Sequence, residues 1–379
     1  MNILNFSSHF EDCGIAKYQE HYIKGIEKNK EFKSTFFEYS PYQTRNMNHA
    51  QFEEVLQKLR LELPKFQILH IQHEFGFYRH GQFEQIIKTA KEIGIRVVVT
   101  YHTSPDLIII KKRLTGFGPR SIVSFLKSYR HNAILSKMHT APLNNTDAII
   151  VHNKYTAEQL KNYGVSSHLI HVLPHPTYNI TTPPKTTFIR DSLHKQKGDV
   201  ILSTVGYIHR FKGVDKAIKA LSYLPENYKL AVLGGVKSDS DDKKLYDQLA
   251  DLIIKRGLKD RVFISGVIPS DEDLDSYIRE TDISLYPYDS QYYKGVASGA
   301  LNLAIANERP IVAYPVSTFI ETNDKFGQIM FTDSDSYYEL AREINRLDIE
   351  SQTEKITSYA KANSFDNMAK SLVDIYSSL

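Results

Sequence analysis

Short continuous apolar runs recur along the chain, separated by longer stretches whose apolar residues return every three or four positions. The short runs in the first half, at 3–6, 35–39, 68–72, 97–101, 148–152 and 170–173, predict strands buried on both faces. The longer stretches, at 15–28, 50–61, 82–93 and 156–163 among others, predict amphipathic helices. This alternation breaks at Pro174-His175-Pro176 and Thr181-Thr182-Pro183-Pro184, where proline disfavours helix and central strand alike, so a linker is expected there. It then starts afresh, with strands expected at 200–205, 229–233, 262–265, 283–286, 310–314 and 328–331, and with helices at 214–224 and 301–306 among those between. The pattern predicts an α/β protein of two parallel-sheet domains, residues 1–177 and 178–363. Phe365, Met368, Leu372 and Ile375 recur at helical spacing and predict a last helix over 364–379. Two such sheets joined by a linker would place a cleft at the carboxyl ends of their strands, where open α/β sheets hold ligands.

Composition narrows the class. At 379 residues the chain exceeds one ordinary core, and 41% apolar with 24% charged residues is the balance of a water-soluble globular protein. A lone cysteine, Cys13, excludes an intramolecular disulfide, and no Cys/His cluster has zinc spacing, so no metal site and a reducing, cytoplasmic setting are expected. The N-terminus lacks a basic and then apolar leader and reads as a first strand, and no apolar run is long enough to span a bilayer. Net charge is only +3, yet residues 107–146 carry no Asp or Glu while Lys111, Lys112, Arg113, Arg120, Lys127, Arg130 and Lys137 all fall there. Such a segment, over 107–137, is either a solvated helix face or a peripheral contact with an anionic membrane at its inner face. Nucleic-acid motifs are missing, so no nucleic-acid partner is expected.

Candidate chemistry lies just beyond the strands. Val205-Gly206-Tyr207-Ile208-His209-Arg210-Phe211-Lys212-Gly213 joins a strand to a helix through a glycine-gated turn carrying Arg210 and Lys212. Orphan N–H groups and the helix dipole make such a turn an anion site. Ser298 and Gly299 open a second helix, so the two helix starts with Arg210 and Lys212 are expected to pinch a diphosphate. His102 ends an unbroken buried strand and is the expected catalytic group of the first half. His73 and Glu74 are expected farther out in the loop after 68–72, whereas His70 and His152 read as structural groups at strand ends. Gly14 opens the first helix and allows close backbone approach to a ligand. Neither Gly-x-Gly-x-x-Gly nor a P-loop is present, which argues against dinucleotide-dependent oxidoreductases and P-loop nucleotidases.

The order of these motifs resembles the retaining glycosyltransferases of family 4, which have the GT-B architecture of two facing Rossmann-like domains. The likeness runs through Gly14, His70-Ile71-Gln72-His73-Glu74-Phe75-Gly76, Thr100-Tyr101-His102-Thr103, Val151-His152-Asn153, Leu173-Pro174-His175-Pro176, residues 205–213, Leu233-Gly234-Gly235, Phe263-Ile264-Ser265-Gly266-Val267 and the last helix. It implies that Lys212 grips the donor diphosphate and that Arg210 substitutes for a family arginine usually found where this chain has Tyr207. By the same likeness the backbone of Gly266, Val267 and Ile268 reads the nucleobase, and His102 stands near the transferred sugar. The family's paired glutamates fall here on Lys294 and Asn302. Ser298-Gly299-Ala300-Leu301-Asn302 is similar to a variant in which the polar residue, here Asn302, hydrogen-bonds the ribose, while Lys294 cannot replace a carboxylate beside the sugar. The resemblance implies metal-independent, retaining transfer from a UDP or GDP sugar, as co-substrate and without a cofactor, to a glycan, glycolipid or protein acceptor. The departures point to an alternative, a catalytically impaired binding or scaffold subunit of a glycosyltransferase complex.

Overall fold

The computed structural model describes residues 1–9, 13–79, 81–107, 127, 129–131, 133–135, 137–178, 185–236, 240–290, 293, 298–323 and 325–379. The chain divides into two compact units, one holding residues 1–175 and 365–379, the other 176–294 and 298–364.

In the first unit the elements run β1 Asn2–Phe6, α1 Gly14–Ile26, β2 Lys33–Phe36, α2 Pro41–Thr44, α3 His49–Glu62, β3 Ile68–His73, α4 Gln82–Glu92, β4 Arg96–Tyr101, β5 Ala148–Val151, α5 Lys154–Asn162 and β6 Ile170–Val172. The strands form one parallel sheet in the order β2-β1-β3-β4-β5-β6. The strand expected at 35–39 lies earlier in the chain, because Lys33 to Phe36 pair residue by residue with Asn2 to Asn5.

Alternation along the strands gives this sheet two unlike faces. Leu4, Leu69, Ile71, Val97, Val99 and Ile149 share one buried apolar cluster with α3 and α4. Residues of the opposite parity, Asn5, His70, Gln72 and Thr100, are wholly buried polar groups. The helix α1 and the C-terminal helix Phe365–Ser378 bond Asn5 and His70, and His70 in turn bonds Gln72 and Thr100. Gln19 donates to Asn5 Oδ1 at 2.7 Å, Tyr22 also bonds Asn5, and Tyr376 meets His70 Nδ1 at 2.6 Å. These two helices pack so closely that a β-carbon on Gly25 would lie 2.8 Å from the Ala369 β-carbon.

The second unit runs α6 Phe188–Ser192, β7 Val200–Val205, α7 Val214–Leu221, β8 Tyr228–Leu233, α8 Ser240–Lys255, β9 Val262–Ile264, α9 Asp271–Arg279, β10 Ile283–Tyr286, α10 Gly299–Ala306, β11 Ile311–Ala313, α11 Ser317–Asn323, β12 Ile329–Phe331, α12 Tyr337–Arg346 and α13 Ile349–Ala362. Its parallel sheet has the order β12-β11-β10-β7-β8-β9. Successive strands leave β7 in one direction as β8 and β9, then resume on its other side at β10. The crevice between β7 and β10 is therefore the topological switch point, where an open sheet binds ligands. The helix expected from 301 starts earlier, at Gly299, because the Ser298 hydroxyl caps it by accepting from the Leu301 N–H at 3.2 Å.

Replacing Gly25 by valine should lower the urea unfolding free energy by roughly 1–3 kcal/mol through overpacking. Adding Ala369→Gly to that variant should recover part of the loss, because the clash is with Ala369.

Candidate functional site

Close backbone approach locks the loops around the switch point of the second sheet. A β-carbon at 213 would lie 2.0 Å from the Pro287 carbonyl oxygen, one at 234 would lie 2.2 Å from the Gly206 oxygen, and one at 235 would lie 2.6 Å from the Val267 nitrogen. Gly206 and Gly213 also take left-handed backbone, with φ of 97° and 65°. The loops after β7, β8, β9 and β10 thus touch one another through atoms that no side chain could separate.

Within this frame Lys212, at the end of the 3₁₀ turn Arg210–Lys212, folds back toward its own strand. Its ammonium donates to the Val205 carbonyl at 3.4 Å and lies 2.6 Å from where a β-carbon on Gly206 would be. The Ala300 β-carbon lies 3.8 Å from that same point. Gly206, Lys212 and the start of α10 therefore converge at the switch point. Burial lowers the Lys212 pKa to about 8, so its charge is held without much water. A partly desolvated cation beside a helix N-terminus is arranged to receive an anion.

The other expected residues of this unit divide. Arg210 is exposed and donates to Gln248 Oε1 at 3.4 Å, so it is turned to α8 and does not join Lys212. The 3₁₀ turn accounts for the split, since residues two apart cannot face the same way on it. Leu301, expected at the ligand, instead sends its side chain into the core with Tyr286, Ala304 and Ile305, and its N–H is taken by the Ser298 cap. Asn302 is nearly buried, and its N–H is held by the Ser298 carbonyl. Gly266 has φ of 74°, Val267 is exposed and Ile268 packs on the cluster of Val205 and Leu233, so that loop offers backbone more than side chain. Tyr207 is exposed, and Lys294 lies outside the described residues. Sequence reasoning passed over Tyr286 and Tyr288. The Tyr286 hydroxyl donates to the Ala300 carbonyl at 2.7 Å, and the Lys212 ammonium sits 5.7 Å from the Tyr288 ring centroid. In a chain with 24 tyrosines, nothing local marks these two.

In the first unit His102 carries the polar face of the sheet outward past β4. Its Nε2 donates to Gln72 Oε1 at 2.7 Å, and His70 Nε2 accepts from Thr100 at 2.8 Å and from the Gln72 amide at 3.4 Å. Burial, with His152, His175 and His70 nearby, holds the His102 pKa well below its ordinary value, so the ring is neutral and Nδ1 is its acceptor. His73 does not lie out in the loop. It is the last residue of β3, wholly buried, stacked 4.3 Å from the Tyr101 ring and paired with His139 at 3.0 Å. It has the parity of Leu69 and Ile71, which places it on the apolar face, away from Gln72 and His102. Glu74 does lie beyond the strand, where it accepts from Thr103 Oγ1 at 2.5 Å and from the Phe75 N–H at 3.0 Å, fixing the loop that follows His102. Gly14 is exposed as the first residue of α1, which Cys13 caps. Of the basic segment, residues 108–126, 128, 132 and 136 lie outside the described residues. Among those described, no group of three or more His, Cys, Asp or Glu could hold a metal, and no helix is long and apolar enough to cross a membrane.

Two outcomes test this geometry. Gly213→Ala should lower thermal stability by about 1–3 kcal/mol or more, since left-handed strain adds to the collision with Pro287. Burial also holds His70 at a pKa of about 3 and His139 and His152 at about 4, with His73 lowered as well. The unfolded chain takes up these protons near pH 6.5 and the folded chain does not, so their contribution to stability should be constant above that pH and fall from 6.5 towards 4. An unchanged urea midpoint between pH 7 and 4.5 would contradict the neutral buried cluster.

Residues 24–177 match the family model for Glycosyltransferase Family 4, and residues 185–363 match that for Glycosyl transferases group 1. The D-inositol 3-phosphate glycosyltransferase of Xylanimonas cellulosilytica is 28% identical over 164 residues, a stretch spanning 41% of this chain and only 38% of that relative. Among solved structures, HepE of Anabaena in complex with UDP matches with a TM-score of 0.73 at 14% identity over the whole of both chains. Sucrose-phosphate synthase of Thermosynechococcus elongatus matches with a TM-score of 0.69 at 17% identity, over 100% of this chain and 98% of that one. Likeness at such low identity speaks for the fold. With the two family models matched in tandem across both units and two parallel sheets of the GT-B kind, the chain belongs to the family 4 glycosyltransferases of GT-B architecture.

Proposed function

We propose that the protein transfers a sugar from a nucleoside diphosphate sugar, of UDP or GDP type, to a hydroxyl of a glycan, glycolipid or protein. The observation that carries this reading is the convergence of Lys212, Gly206 and the start of α10 at the switch point between β7 and β10. HepE, with its bound UDP, supports a nucleotide in a sheet of this kind. As the bond from the sugar to the diphosphate breaks, negative charge grows on the leaving phosphate. Lys212 and the α10 dipole would stabilise that charge from positions fixed in advance. Asn302 would serve the ribose, and the backbone of Gly266 and Val267 the base. His102, neutral and oriented by Gln72, would accept a hydrogen bond from a sugar or acceptor hydroxyl. Retention of configuration and independence from metal belong to the same proposal and rest on the family likeness. The basic run over 107–137 favours an acceptor at an anionic membrane surface.

A second reading, a binding subunit without turnover, is favoured by Lys294 and Asn302 at the places of the family glutamates. It predicts nucleotide-sugar binding with neither hydrolysis nor transfer, and stable association with a second transferase.

Calorimetric titration with UDP and GDP should detect binding that weakens roughly tenfold or more in Lys212→Ala. The Lys212 ammonium loses its proton as pH rises through about 8, so affinity should decline above that pH. Failure of both nucleotides to bind would end the transferase and binding-subunit readings together.

A further inference from the structure

Tyr288 follows β10 at the switch point and is 2% exposed. Its ring is fixed by Tyr286, Tyr293 and Phe319, at centroid distances of 5.6, 4.8 and 5.5 Å. Among the described residues its hydroxyl completes no hydrogen bond in good geometry, although the side chain of Ser298 lies close enough to act on it. Ser298 instead uses its oxygen to cap α10, and Lys212, 5.7 Å from the ring centroid, has only protons to offer. Burial keeps the phenol neutral, so its proton remains available for donation. A buried hydroxyl without a partner is destabilising, and phenylalanine would fill the same space without that penalty. Among the described residues none accepts this O–H in hydrogen-bond geometry, while Lys212 and the start of α10 beside the ring attract anions. A ligand can supply the acceptor.

Building on the donor-site reading, we propose that the Tyr288 hydroxyl is a further ligand group of the diphosphate site, donating a hydrogen bond to a phosphate oxygen held by Lys212 and the start of α10. Tyrosine is retained there for the nucleotide-bound state, at a cost to the empty one. The role is specific to the hydroxyl, since the ring alone would satisfy the packing.

Tyr288→Phe tests this by two readouts on the full chain, titration with UDP and thermal denaturation without ligand. UDP affinity should fall roughly tenfold or more, while the unliganded protein melts at the same or a higher temperature. Tyr314→Phe removes another buried phenol oxygen of the same unit that has no partner among the described residues, its ring lying under Lys216 at 4.9 Å. It should show the same melting behaviour with UDP affinity unchanged. Binding by Tyr288→Phe equal to that of the unaltered chain overturns the assignment, and so does a melting temperature several degrees lower, which would make the hydroxyl structural. If Lys212→Ala loses UDP and Tyr288→Phe keeps it, only the Tyr288 assignment falls. If the unaltered chain binds neither UDP nor GDP, the donor-site reading falls and takes this one with it.

Discussion

The arrangement at the second sheet depends on one steric contact, the Pro287 carbonyl oxygen in the space that a β-carbon at position 213 would fill. It joins the loop after β7 to the loop after β10, the two strands that flank the switch point. A hydrogen bond from the Asp289 N–H to the Phe211 carbonyl, 2.8 Å long, holds the same two loops together. With the turn thus fixed, Lys212 is directed over Gly206, where another glycine constraint leaves room for its ammonium. The cost of desolvating that cation is met in folding, as its lowered pKa records. A ligand anion would then meet a charge that needs no further reorganisation.

The first unit solves a different problem with the same kind of sheet. The polar groups on one face, Asn5, His70, Gln72 and Thr100, would be costly to bury alone, yet they are wholly enclosed. Tyr22 and Gln19 from α1 and Tyr376 from the C-terminal helix supply the hydrogen bonds that make the enclosure tolerable. That requirement gives the last helix a reason to return to the first unit beyond covering apolar surface. The network also carries outward, because the Gln72 amide that bonds His70 presents its oxygen to His102. The orientation of His102 at the strand end is therefore set by packing deep in the sheet.

Much of this was legible in the residues. Strands buried on both faces write themselves as continuous apolar runs, so the strand positions could be read with errors of a few residues, largest at β2, a short edge strand. The glycine turn at 206–213 was legible because its glycines separate a continuous apolar run from one of helical periodicity. His73 was misplaced by a single step of register. Extending β3 by one residue carries its ring to the face opposite Gln72, among Tyr101 and His139. Arg210 and Lys212 were equivalent as letters, and only the 3₁₀ turn sends one to Gln248 and the other inward.

The sequence by itself determined the two-fold run of strand and helix, the break between its halves, and a glycine turn that carries two cations. These follow from local periodicity, from proline and from glycine, whose effects reach only a few residues along the chain. Tertiary structure alone decided that Ala300, Gly206, Lys212 and Tyr288 meet, because strand order sets which loops become neighbours. Residues 206 and 300 are far apart in the chain, and no local propensity encodes the approach of β7 to β10. The loss of Arg210 and Leu301 from that meeting place, and the arrival of Tyr288 in it, have the same cause: side-chain direction is fixed by packing across the sheet.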